Sequence, residues 1–136
     1  MTVTLTDQDK RTLRTAAYGA VALMSAADAA GSPHKAATAG SIALASGTGL
    51  IGHVLAAKTR DLKLAGKTTA ALADQVLPSL TESMSLLRKQ DAAEAGHFRA
   101  AVMIAVEAAA RTHEGAPSPI VAGMARKITE ALDAAA

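Results

Sequence analysis

From Ala36 to Ala57 the chain reads AATAGSIALASGTGLIGHVLAA, without one Asp, Glu, Lys or Arg. A charge-free stretch of this length has three ways of avoiding water: a membrane span, a glycine loop around a ligand, or a core helix of small residues. It reaches the roughly 20 residues that a span needs. However, Ser, Thr, His53 and four glycines dilute it, and it has no flanking aromatic residues of the kind that mark membrane interfaces. Gly47-x-Gly49-x-x-Gly52 spells the dinucleotide fingerprint, which works only between a strand and a helix, with an acidic residue further on. Ser41-Ile-Ala-Leu-Ala would serve as the strand and Asp61 or Asp74 as the acid, but no second strand follows. The core-helix reading fits the neighbouring sequence best.

That reading carries local expectations. Each glycine costs about 1 kcal/mol against alanine inside a helix. A break is therefore predicted near Ser46–Thr48, between a helical segment near 33–45 and another near 48–60. Gly40, Gly47, Gly49 and Gly52 are expected where a neighbouring helix crosses closely. His53 is the odd residue here, expected to be buried or interfacial and satisfied by a backbone carbonyl.

Composition extends the helical reading to the whole chain. The 136 residues include 35 Ala but only 12 Val plus Ile, one Phe, one Tyr and no Trp. Alanine is the best helix former, whereas strands favour β-branched and aromatic residues. Small side chains bury little area each, so the helices must approach closely to gain dispersion contacts. The length suits one domain, 1–136, with residues 1–5 expected to be a loose leader.

The remaining elements announce themselves by spacing and punctuation. Thr6-Asp7-Gln8-Asp9 reads as a capped helix start, followed by Leu13, Ala17, Ala20, Met24 and Ala27 along one stripe to a stop at Gly31. Ser32-Pro33 opens the next helix, with Pro at the position that needs no N–H. Leu72, Val76, Leu80, Met84 and Leu87 keep helical spacing through Pro78, where a kink or a new segment is predicted. Asp91-Ala-Ala-Glu94 resembles a capping box and precedes the stripe Phe98, Val102, Ala105 and Ala109. Gly115 and Ser118-Pro119 repeat the earlier stop and start before Val121, Met124, Ile128 and Leu132. The two Gly-then-Ser-Pro hairpins are faintly alike, although unrelated helical hairpins use the same signals. The expected fold is all-α: an antiparallel bundle of about five helices, the second of them central.

Few chemistries survive. Net charge is +2, too small a bias for a nucleic-acid footprint. Without Cys there is no disulfide framework, thiolate nucleophile or Cys-based zinc site. Gly66-Lys67-Thr68 resembles the end of a phosphate loop, but Asp61 stands where the first glycine belongs. Glu94-x-x-His97 has the spacing of di-iron bundles, but the second such pair is missing, so Glu94 is read as a cap. Lys58–Lys67 is the most basic run, expected to be a helix end or, weakly, a site for an acidic partner.

Leu13-Arg-Thr-Ala-Ala-Tyr18-Gly19-Ala-Val21, Val76-Leu-Pro78-Ser-Leu80 and Phe98-Arg99 together resemble small all-helical proteins of high-GC bacteria for which no activity is implied. Ala27-Asp28 followed by Ser32-Pro33 is similar to tellurite-resistance-type (TerB-like) helical domains, a resemblance that implies metal binding in a stress response. In this chain His34, and Ile120 in the second hairpin, stand where those domains carry an acid, so no ligand residue carries over. The sequence therefore points to a cytoplasmic, non-enzymatic structural or interaction protein that self-associates. The alternative is a small-ligand- or metal-binding helical module. No catalytic residue, cofactor, nucleic acid or membrane span is expected.

Overall fold

A computed structural model describes residues 3–28, 33–57, 64, 68–111 and 118–134 of the chain. These form six helices: α1 (Asp7–Ala27), α2 (Pro33–Ala45), α3 (Gly49–Ala56), α4 (Thr69–Gln90), α5 (Ala92–Ala110) and α6 (Pro119–Asp133). There is no strand among the described residues, and the helices pack as a bundle. None of the described helices is long and apolar enough to cross a membrane. The charge-free stretch falls short because it is divided between α2 and α3.

The helix starts follow local chemistry. Thr6 accepts from the Asp9 amide at 3.0 Å while the Asp9 carboxylate accepts from the Thr6 amide at 3.1 Å, a complete capping box. Thr68 caps α4 through the Ala71 amide, and Ser118 caps α6 through the Val121 amide with Pro119 behind it. Such caps are worth about 1 kcal/mol each because they satisfy amides that have no partner within the helix.

α1 and α5 are the central helices, each packing against all five others among the described residues. The expectation that the second helix is central is thereby corrected. α2 buries only Ala36, Gly40 and Leu44, whereas α1 buries eight residues on several faces, from Leu13 to Met24. The reason is that Ala16, Ala17, Gly19 and Ala20 leave α1 thin enough for helices to pack on more than one side of it. Gly19 faces Val76 of α4 so closely that a β carbon there would meet the valine methyls.

The larger side chains fill the space between. Phe98, Leu80, Leu87, Ile128 and Leu132 are all fully buried, each worth about 1.5–3 kcal/mol of transfer energy.

Two further expectations change. Within the expected loose leader 1–5, Thr4 and Leu5 are attached, because the Thr4 amide donates to Gln90 Oε1 at 2.7 Å and Leu5 packs on the core, while residues 1 and 2 lie outside the described residues. α4 is one continuous helix through Pro78, so the expected new segment does not start there. Pro78 is on the exposed side of α4, where the carbonyl left without an amide partner can meet water. Nearby, Ser79 and Ser83 donate to the Val76 and Ser79 carbonyls at 2.8 and 2.7 Å. Gly31, Ser32, Gly115 and, except for Leu64, the basic run Lys58–Lys67 lie outside the described residues.

Candidate functional site

The break between α2 and α3 builds one wall of a cavity, and the first half of α5 builds the other. The Ser46 hydroxyl donates to the Ile42 carbonyl at 2.6 Å, satisfying the end of α2. Gly47 and Thr48 then turn the chain, and Gly49 opens α3 at φ +75°. That conformation is open to glycine and costs other residues about 1–2 kcal/mol. α3 folds back over the turn, so that the backbone of Gly47 fills the space beside Gly52. At the far end of α3, the Tyr18 hydroxyl of α1 donates to the Leu55 carbonyl at 2.6 Å and pins that wall in place. Burial pushes the Tyr18 phenol pKa up, opposed in part by the Arg14 charge.

The four glycines therefore do different jobs. Gly40 is a helix-crossing glycine, because a β carbon there would lie 2.7 Å from a Val21 methyl of α1. Gly47 and Gly52 approach one another, within the turn and not across two helices. Gly49 is not a close-packing residue, because a β carbon there would meet nothing within 4 Å and its positive φ is what requires glycine. His53 is exposed, contrary to the expectation of a buried or interfacial histidine. Ile51, Val54 and Leu55 hold the inner face of α3, which leaves position 53 pointing outwards.

The cavity holds about 400 Å³, on the order of a dozen waters' share of liquid volume. Leu44, Ile51, Ala100, Ala101 and Ile104 make it mainly apolar, and its polar side chains are Thr48, Glu94 and His97. Thr48 caps α3 by position only, since its side chain makes no capping bond.

Glu94 is not the capping residue its spacing suggests. Asp91 is both the last cap of α4 and the first cap of α5, and its amide donates to the Leu87 carbonyl at 2.7 Å. The amide that a capping box would use is thus already committed to α4. Asp91 still caps α5 by accepting from the Ala93 amide at 2.8 Å. The Glu94 carboxylate faces His97 instead, with Nδ1 3.4 Å from Oε1. Its other oxygen, Oε2, is buried and accepts no hydrogen bond.

The structure thus joins the glycine string and the Glu94-x-x-His97 pair, two motifs far apart in sequence, in one cavity. No group of three or more His, Asp or Glu side chains is placed to hold a metal among the described residues, where a bound zinc takes at least three protein ligands. The Thr48 hydroxyl and His97 are not hydrogen-bonded to each other, so this pair does not form the hydroxyl–base contact that an activated nucleophile needs.

The chain matches no protein-family model, no curated protein and no solved structure.

Proposed function

We propose that this protein is a non-enzymatic binding module whose cavity between the α2–α3 turn and α5 takes a small, mainly apolar molecule. One observation carries the reading: a cavity of about 400 Å³ has apolar walls and a few polar groups gathered beside them. Sites for small molecules have this size and this balance. The rigid turn supports it, since Gly47 and Gly52 in mutual contact and the Tyr18–Leu55 bond hold the wall in one place.

The test is an amide-resolved NMR titration with 1-hexanol. The amides of Gly47, Gly49, Ala101 and Ile104 are expected to shift together, while those of α6 stay still. Ala100→Phe, at an exposed position on the cavity wall, is expected to abolish the shifts without unfolding the bundle. Absence of any shift in the unmodified protein at tens of millimolar hexanol sinks the reading.

Self-association is the second reading. Ile42 of α2 and Ile104 of α5 are 60% and 59% exposed on two helices that pack together. Burying both against a second copy would recover a share of the roughly 1.5–3 kcal/mol that each isoleucine gains on full burial. Light scattering after size exclusion tests it, and a strict monomer at tens of micromolar removes it.

A further inference from the structure

The apolar lining of the cavity and its Glu94 carboxylate call for different parts of one molecule. We infer that the site selects a short alkylammonium ion, with its aliphatic chain along Leu44, Ile51 and Ile104 and its ammonium on the Glu94 carboxylate. This rests on the binding-module reading and adds the chemistry of the ligand's head group.

Glu94 is short of donors. Oε2 is buried and accepts no hydrogen bond. Oε1 has only His97 Nδ1 at 3.4 Å, beyond the roughly 2.7–2.9 Å of a charge-assisted bond. A carboxylate offers about four acceptor sites, and a buried one left unpaired is costly. Glu94 lines the cavity beside Leu44, Ile51 and Ile104.

Among the described residues, no Lys or Arg lines the cavity, and the basic groups of the three helices that build it are placed elsewhere. On α2 the only basic groups are His34 and Lys35, in its first turn, away from the break that lines the cavity. On α3 the one such group, His53, faces outwards, and it does not line the cavity. On α5, Arg99 is engaged by Asp133 at 2.9 Å and Arg111 by Glu107 at 3.2 Å, at the helix end remote from Glu94. His97 is 67% exposed and meets the carboxylate only at the distance already given.

Three other head groups fit less well. A carboxylate or phosphate ligand would meet like charge. A divalent metal would find two side-chain donors with apolar surroundings. An alcohol would supply one donor and no charge. A primary ammonium brings three donors and the opposite charge, and its chain matches the apolar walls.

The experiment titrates n-hexylammonium, 1-hexanol and hexanoate separately into the full chain at constant ionic strength, followed by the amide shifts of Gly47, Gly49 and Ile104. The expected order is ammonium about tenfold or more tighter than alcohol, with hexanoate weakest, since hydrogen bonds to charged groups carry that much discrimination. Glu94→Gln keeps the side-chain shape and is expected to bring ammonium and alcohol within about twofold of each other while leaving the alcohol's affinity in place. Equal affinities in the unmodified protein, or a preference that survives Glu94→Gln, overturn the inference and leave the binding-module reading standing. Silence towards all three compounds overturns both. The comparison within the unmodified protein decides the matter even if Glu94→Gln folds poorly.

Discussion

Replacing Gly40 by alanine adds one methyl group, and the structure fixes what that methyl meets. The new β carbon would lie 2.7 and 2.8 Å from the two γ carbons of Val21 and 3.3 Å from its β carbon. Carbon atoms rest at about 3.5–4.0 Å, so the closest contacts fall roughly 0.7 Å short. Val21 cannot turn aside easily, because it is β-branched, helical and 2% exposed. α2 must therefore back away from α1. Overpacking of this kind costs about 1–3 kcal/mol, and the helix-propensity gain of Gly→Ala returns about 1 kcal/mol. The net expectation is a loss of about 1 kcal/mol, or about 4 °C in Tm for a chain of this size.

The protein supplies its own controls. Gly96 in α5 and Gly123 in α6 have nothing within 4 Å of the added carbon. Alanine at either position is expected to stabilise by about 0.5–1 kcal/mol, from backbone entropy alone. Urea unfolding followed by far-UV circular dichroism measures all three variants. In a Val21→Ala background the two closest contacts are gone and only the 3.3 Å approach to the β carbon remains, so Gly40→Ala is expected to turn neutral or stabilising, with a coupling energy of about 1 kcal/mol. If Gly40→Ala stabilises the unmodified protein as Gly96→Ala does, the contact between α1 and α2 is soft and the reasoning fails.

Three more outcomes follow from single contacts. Tyr18→Phe leaves the Leu55 carbonyl without its hydroxyl donor and is expected to cost about 1–2 kcal/mol. Because burial raises the Tyr18 pKa, folding favours the protonated phenol. That contribution is whole below the unfolded value near 10 and is lost as pH rises through the folded one, so unfolding curves in alkali lose this slope in Tyr18→Phe. Gly49→Ala, with no steric neighbour but φ +75°, is expected to cost about 1–2 kcal/mol from backbone strain, and Gly49→Asn less, both read by chemical denaturation. The hydrogen bond from Arg99 holds the Asp133 carboxyl below the usual carboxylate range. Its contribution is present above the unfolded pKa and is lost as pH falls through the folded one. In Arg99→Ala, NMR should show Asp133 titrating nearer the ordinary value, with little change in stability because the pair is exposed.

What the sequence revealed was local. Stripes at spacings of three and four mark the buried faces of α4, α5 and α6, because a helix repeats its face whatever it packs against. Thr6, Thr68 and Ser118 mark helix starts by chemistry within one turn. The break at Ser46–Thr48 was legible in the glycine cost.

What stayed hidden was relational. Gly19 has no neighbour in sequence that announces Val76 as its contact. The centrality of α1 is set by how thin its Ala and Gly faces are to several partners at once. Glu94 looked like a cap because the spacing is right; only the one-residue joint at Asp91, shared by α4 and α5, shows that the required amide is already committed. The cavity needed α2, α3 and α5 brought together, and no spacing rule reports that.

The packing of α1 against every other described helix also sets how the molecule opens. Removing α1 strips contacts from all of its neighbours, so its central amides should exchange with solvent only through global unfolding. α3 has eight residues and packs on α1, α2 and α5, so it can detach while the rest stays folded. Hydrogen exchange should therefore separate the two, with α3 opening at a lower free energy than the core of α1. Because α3 forms one wall of the cavity, that smaller opening is also a route by which a molecule too large for the resting site could enter it.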